Sequence, residues 1–371
     1  MAGIEHDEFG PFKIIHVYEP RAGLRGTLVV DNVARGPSIG GVRMAPDVST
    51  LECFRLARAM TFKNAAADLP HGGGKSVLYG DPAMPVEEKE RVIRAFACAL
   101  REIDQYIFGP DMGTDERCMG WVRDEIGRAV GLPRELGGIP LDEIGATGWG
   151  LLHSIKAVCE DRGRPVDGLR VVVQGFGAVG RHAARFLARE GAVVVGVADS
   201  TGTVACEAGL DLDRLLEIKS TGGAVTEYPS GDGVTHGDSD AIVGIPCDVW
   251  IPAARPDVIR EDNVDRVQAE MIVAGANIPM TPGAEKILHE RGVLCIPDFI
   301  ANAGGVICAA MEHQGAGESS AMATIAEKLG NNTRSVLEIM RRDNCLPRAA
   351  AEAMAQERVR GAMAIKRWNL F

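Results

Sequence analysis

The chain has 371 residues, too many for one ordinary domain and suited to two. Hydrophobic residues make up 46% and charged residues 25%, the mix of a folded globular protein, so a largely disordered chain is excluded. Lys+Arg total 40 against 51 Asp+Glu, and the net charge of −11 argues against nucleic acid or an anionic membrane as partner.

Taken in order, Gly23–Val30 ends in β-formers and reads as a strand. Leu51–Ala67 reads as a helix, with Cys53, Leu56, Ala57 and Met60 on one face and Arg55 and Arg58 off it. Ser76–Tyr79 is a short strand stopped by Gly80-Asp81-Pro82, and Glu87–Ile103 is an amphipathic helix. This first part is therefore α+β. Pro133, Gly137, Gly138 and Pro140 interrupt regular structure, so the boundary falls between Leu132 and Gly150. From Leu169 short apolar runs alternate with helical stretches. The runs are Leu169–Val173, Ala192–Ala198, Asp248–Pro252, Met271–Ala274 and Val293–Ile296, with a helix pattern over Val179–Glu190. Buried strands joined by helices predict a parallel, doubly wound, Rossmann-type sheet. After Ala303 the pattern is helical to the end, with a flexible gap at Gly315–Ser320.

No apolar stretch approaches the roughly 20 residues that span a bilayer. The opening MAGIEHDEFG is acidic and lacks the apolar core of a signal peptide, so a cytoplasmic placement is expected. Nine cysteines without a CxxC pair point to a reducing compartment and to no metal site.

Val171–Gly180 carries the strongest single motif, Gly175-Phe176-Gly177-Ala178-Val179-Gly180, placed after a strand and at the start of a helix. Gly175 allows the tight turn, Gly177 lets the backbone approach a pyrophosphate, and Gly180 lets helix and strand pack closely. The helix N-terminus offers amide N–H groups to phosphate. Asp199 ends the next strand, where a carboxylate binds the ribose hydroxyls of NAD and repels a 2′-phosphate. Ser200 and Thr201 beside it leave NADP open, and a turn or cap role for Asp199 is the plain alternative. Asn277 also ends a strand, as a cofactor contact or a helix cap.

A second stretch runs from Met60 through Lys63 to Gly72-Gly73-Gly74-Lys75. It is not a P-loop, because Leu69 stands where that motif needs a glycine. It reads as a glycine-rich turn bringing two lysines together, one to hold a carboxylate and one, desolvated, to act as a base. Two solvated surface lysines are the plain alternative. Asp111, in Gly109-Pro110-Asp111-Met112-Gly113-Thr114, sits in an apolar and glycine setting and reads as a proton shuttle or a helix N-cap.

These motifs together resemble the glutamate/leucine/phenylalanine/valine dehydrogenases. The resemblance rests on Gly40–Arg43, Met60–Lys63, Leu69–Lys75, Gly109–Thr114, Ala146–Gly150, Gln174–Gly180, Pro252–Ala254, Gly275–Asn277 and Pro297 through Asn302 to Val306, in family order over nearly the whole chain. It implies reversible NAD(P)-dependent oxidation of an L-amino acid to a 2-oxo acid and ammonia by a homo-oligomer whose two domains close over the substrate. It implies Lys75 as the base that activates water, Asp111 as proton carrier, Lys63 on the substrate α-carboxylate, and Gly41 lining the pocket. Thr147 and Asn277 would hold the nicotinamide end, with Asn302 close to nicotinamide and substrate. The implied division is a catalytic and oligomerisation domain over 1–140, a dinucleotide-binding domain over 141–335, and helices over 336–371 that return to the first domain.

The resemblance also bears on the substrate. Glutamate enzymes of the family carry a lysine directly before the Gly-Gly pair, where this chain has Ile39, and a serine seven residues after the Asn of NAGG, where it has Ala309. Burying a γ-carboxylate without partners costs several kcal/mol. The expected pocket is therefore apolar, lined partly by Ile39, Met60 and Ala309, for a substrate such as leucine, valine or phenylalanine. The alternative is a glutamate dehydrogenase with a rebuilt pocket in which Arg43 or His71 supplies the grip. A non-catalytic NAD-binding regulator would have lost a lysine or the aspartate, and all three are present.

Overall fold

The computed structural model describes residues 4–366. The chain forms two compact units. Unit 1 takes the chain through Pro140, Val306–Ala321 and the chain from Glu352, and unit 2 takes Leu141–Gly305 and Met322–Ala351. The expected C-terminal piece is thus divided, since 336–351 belong to unit 2. Val306–Ala321, assigned by sequence to the dinucleotide domain, belong to unit 1. The end of the tail, 367–371, and residues 1–3 of the opening segment lie outside the described residues.

Unit 1 is built on five strands, β1 (Lys13–Glu19), β2 (Leu24–Asn32), β3 (Ser38–Ala45), β4 (Gly72–Tyr79) and β5 (Tyr106–Pro110), in spatial order β1-β2-β4-β3-β5. β1–β2 and β2–β4 are antiparallel, whereas β3 runs parallel to β4 and β5. Helix α1 (Thr50–Ala66) covers one face, where Cys53 and Ala57 pack on Val29 and Val77. Ser49 caps it by accepting from the Glu52 amide. Helices α2 (Val86–Ala99) and α3 (Glu116–Ile126) cover the other face through Ile93, Phe96, Met119 and Val122 on Leu28, Val42, Met44 and Leu78.

One sequence expectation changes here. Gly72-Gly73-Gly74 is not a turn. The triplet is the first part of β4, and each glycine makes room for a different neighbour. A Cβ at Gly72 would lie 1.8 Å from Asn32 O, one at Gly73 would lie 2.0 Å from Thr61 N of α1, and one at Gly74 would lie 2.8 Å from the Tyr106 ring. The glycines let helix and strands approach the sheet centre closely.

Unit 2 carries helices α4 (Leu141–Ile144) and α5 (Ala146–Asp161), followed by β6 (Arg170–Gln174), α6 (Ala178–Arg189), β7 (Val193–Asp199), β8 (Gly202–Cys206), α7 (Leu212–Ser220) and β9 (Val234–Gly237). β10 (Cys247–Pro252), β11 (Ala269–Val273), α8 (Pro282–Glu290), β12 (Leu294–Ile296) and α9 (Asp298–Ala301) complete it. The sheet order is β12-β11-β10-β6-β7-β8-β9. The five predicted strands form its parallel part. β8 and β9 add an antiparallel edge that the apolar-run pattern did not predict. Three helices close the chain, α10 (Gly304–His313), α11 (Glu318–Asp343) and α12 (Pro347–Ile365), and each crosses a unit boundary. No helix among the described residues is long and apolar enough to cross a membrane.

Candidate active site

Side chains alternate along a strand, and residues opposite one another in a sheet share a face. Ile39 pairs with Gly73 and Ile107, and Gly41 with Gly109. Ile39, Gly41 and Arg43 of β3 therefore point to the same side as Gly73 and Lys75 of β4, the side that α1 covers. β5 ends at Pro110, and Asp111 follows on that side. Its turn is stapled by Thr114, whose hydroxyl accepts from Asp111 N at 3.1 Å and donates to Val42 O at 2.7 Å. The Asp111-Met112-Gly113-Thr114 stretch is thus a fold-defining turn that aims a carboxylate back at β3.

Lys75 is 6% exposed. Its Nζ lies 3.0 Å from Asp111 Oδ2. A Cβ on Gly41 would meet Asp111 Cβ at 2.7 Å and Lys75 Nζ at 3.1 Å, so this glycine clears the space above the pair. Burial pushes the Lys75 ammonium below its ordinary range, and the facing Asp111 only partly opposes this. Burial works to raise the Asp111 carboxyl, but Lys75 and Arg43 outweigh it and hold it below 3.8. A desolvated lysine paired with a carboxylate can pass protons, because burial makes the neutral amine easier to reach. Lys63 and Met60 sit half-buried on α1, Ile39 is buried on β3, and Ala309 is half-buried on α10.

Both proposed replacement grips already have partners. Arg43 is committed, with Nε on Asp111 Oδ2 at 2.8 Å and Nη1 on Glu52 Oε1 at 2.7 Å. His71 is buried with Nδ1 3.1 Å from Pro37 O, and burial holds its pKa below the usual value, which favours the neutral ring. Sequence reasoning missed Glu52, and Arg43 could have been aligned with the pair through its two-residue spacing from Gly41.

In unit 2, Gly175 turns at φ +93, and a Cβ there would lie 2.7 Å from Ala254 N. The amides of Gly175 and Phe176 both donate to Ala198 O, fixing the loop to the end of β7. A Cβ on Gly180 would lie 2.0 Å from Gly175 O, whereas one on Gly177 would point into open space. Arg181 N makes the first helical bond, to Gly177 O, so the amides of Ala178, Val179 and Gly180 have no partner within α6. This cradle fits a pyrophosphate. Asn302 Nδ2 donates to Asn277 Oδ1 at 2.9 Å, and Thr147 lies against Gly304 and Gly305 at the start of α10. Thus unit 2 joins two sequence-selected asparagines at the carboxyl ends of its strands.

Asp199 departs from expectation. Its carboxylate accepts from Thr201 N and Oγ1 on one oxygen, and from Val225 N and Lys219 Nζ, at 2.8 Å, on the other. The acid that should repel a 2′-phosphate already carries a cation. Ser200 is exposed beside it. Lys219 sits on α7, outside any motif, and no sequence signal marked it.

The Glu/Leu/Phe/Val dehydrogenase dimerisation-domain profile matches residues 13–128, and the Glutamate/Leucine/Phenylalanine/Valine dehydrogenase profile matches residues 137–367. The chain belongs to this family. It is an amino acid dehydrogenase, an oxidoreductase acting on CH–NH2 donors with NAD or NADP. The chain is 37% identical over 361 residues to a glutamate dehydrogenase of Aeropyrum pernix, covering 91% of this chain and 85% of that one. It is 35% identical to an NADP-specific glutamate dehydrogenase of Saccharolobus shibatae, covering 90% and 82%. Among solved structures, the leucine-bound hetero-hexameric glutamate dehydrogenase of Thermus thermophilus superposes with a TM-score of 0.79 at 30% identity, covering 95% of this chain and 89% of that one.

Proposed function

We propose that this dehydrogenase acts on L-glutamate, in a side-chain pocket rebuilt at Ile39 and Ala309. The observation that carries the reading is the likeness, over nine tenths of the chain, to proteins named as glutamate dehydrogenases. The reaction converts amino acid, oxidised cofactor and water into 2-oxo acid, ammonium, reduced cofactor and a proton. Bound NAD(P) supplies the hydride acceptor, held by the Gly175–Gly180 cradle, Asp199, Ser200, Thr147, Asn277 and Asn302. Lys63 fixes the α-carboxylate. Asp111 takes a proton from the substrate ammonium, because hydride leaves Cα readily only when the amine is neutral. Neutral Lys75 then takes a proton from water as its oxygen attacks the imino carbon. Asp111 returns a proton to the nitrogen. As the C–N bond breaks and C=O forms, the carbinol hydroxyl gives its proton back to Asp111, which passes it to the leaving ammonia as ammonium. The proton on Lys75 goes to solvent as the free proton of the overall reaction. We also infer a homo-oligomer.

A second reading, an apolar substrate such as leucine, is favoured by one specific observation. Ile39 is buried, the Ala309 side chain has no polar atom, and Arg43 already spends Nε on Asp111 and Nη1 on Glu52, so the two positions where glutamate enzymes of the family carry polar grips offer a γ-carboxylate none. The test is oxidation of NADH and of NADPH with ammonium, comparing 2-oxoglutarate with 4-methyl-2-oxopentanoate. Faster turnover of 2-oxoglutarate is expected. Preference for the branched acid would replace glutamate by the apolar reading.

A further inference from the structure

Asp111 receives both of its cations on one oxygen. Arg43 Nε lies 2.8 Å and Lys75 Nζ 3.0 Å from the same oxygen, Oδ2. The Asp111 side chain is still a quarter exposed. Arg43 is itself held from behind, because Ser49 caps α1 and places Glu52 in its first turn, where Glu52 Oε1 accepts from Arg43 Nη1 at 2.7 Å. The chain Glu52–Arg43–Asp111–Lys75 therefore joins α1, β3, the turn after β5, and β4. We propose that Arg43, clamped by Glu52, is the positioning residue that fixes Asp111 Oδ2 beside Lys75 and keeps Oδ1 turned to the substrate amine. The proposal rests on the roles given above to Lys75 and Asp111.

The physical argument has two parts. An isolated Asp111–Lys75 pair would collapse into a tighter ion pair and hold the lysine as ammonium. A second cation on the same oxygen competes for it and repels Lys75, favouring the neutral amine that a base must be. Only arginine does this while also spanning to Glu52, since its planar fork donates in two directions and a lysine ammonium is a single point. The ionisable groups facing Lys75 are Asp111, Arg43 and the Cys53 thiol of α1, with Glu52 behind Arg43. Burial pushes Cys53 up to about 12, so it stays uncharged through the working range.

The test uses the full chain with Arg43→Gln, Arg43→Lys, Glu52→Gln and Lys75→Ala. Two quantities are measured against pH: kcat/KM, and the rate at which acetic anhydride acetylates Lys75, resolved by peptide mass spectrometry. Circular dichroism and thermal unfolding check that each variant is folded. Arg43→Gln is expected to lower kcat/KM about a hundredfold and to move both the acid limb and the Lys75 labelling curve up by about one pH unit. Arg43→Lys restores the curve position but only part of the rate. Glu52→Gln uncovers the Arg43 charge and moves both curves down. Unmoved curves in Arg43→Gln, or equal behaviour of the glutamine and lysine variants, would overturn the proposal. Should Arg43→Gln fail to fold, an unmoved labelling curve in Glu52→Gln overturns it instead. If Lys75→Ala retains turnover within about tenfold, the base assignment falls, while the labelling curves still report the coupling, so the two failures are distinct.

Discussion

Asp199 and Lys219 show how a single added cation changes what a motif means. Burial works to raise the Asp199 carboxyl, yet Lys219, Thr201 and Val225 together hold it at about 2. Its ordinary value is 3.8. Its stabilising contribution is therefore complete above the ordinary value and fades as pH falls toward the folded one; at this partly screened site it is on the order of 1 kcal/mol. Lys219 is therefore the cation for which Asp199 and a 2′-phosphate bound here would compete. Lys219→Gln is expected to weaken NADPH binding about tenfold more than NADH binding in fluorescence titrations, the size of one lost charge-assisted contact. Equal losses would remove Lys219 from the phosphate site. The substrate pocket has its own test, made at two residues together. Ile39→Lys with Ala309→Ser restores both polar grips of the glutamate enzymes, and kcat/KM for 2-oxoglutarate should rise at least tenfold relative to 4-methyl-2-oxopentanoate. No change in that ratio would mean that these two positions do not line the pocket.

Strand β4 carries the clearest element-scale consequence. Gly73 lets α1 lie close to the sheet, and α1 carries Lys63 and Met60 while β4 carries Lys75. Gly73→Ala forces a methyl into Thr61 of α1, a backbone contact that cannot swing away, and should cost about 1–3 kcal/mol in denaturant unfolding together with a large loss of kcat. Unchanged stability would mean that α1 has room to shift. This element also marks the limit of sequence reading. Periodicity located α1, α6 and the five parallel strands of unit 2, because a buried run or an apolar stripe is written directly in residue type. It could not recognise Gly72-Gly73-Gly74 as strand, because glycine signals a turn and a close approach with the same letter. It also missed β3 and β5, whose Gly40-Gly41 and Gly109-Pro110 break the β-former pattern where the site needs space. The residues that the structure brings together, Gly41 with Lys75 and Asp111 and Asn277 with Asn302, were legible as motifs. Glu52 and Lys219, the partners of Arg43 and Asp199, were not, since each is an ordinary charge on a helix whose meaning depends on tertiary contact.

At the scale of the whole chain, unit 1 is assembled from three separated stretches, so its stability depends on the end of the sequence as well as the beginning. Helix α12 supplies the closure. Arg358 donates to Ala65 O and Ala66 O at 3.1 and 2.9 Å, capping the last carbonyls of α1. Arg360 pairs with Glu8 at 2.7 Å, and Lys366 donates to Val33 O at 2.9 Å. The Arg358 contacts hold the C-terminal end of the helix on which Lys63 sits, so, on the proposed role of Lys63, a change near the end of the chain acts on substrate binding. Arg358→Met keeps the side chain's length and removes its donors. It is expected to cost about 1–2 kcal/mol, a few degrees in Tm for a chain of this size. Because unit 2 contains no part of this contact, KM for the 2-oxo acid should rise several-fold while the Kd for NADH stays unchanged. A parallel loss of NADH binding would show that the tail supports both units, and an unchanged KM would show that α1 holds Lys63 in place without it.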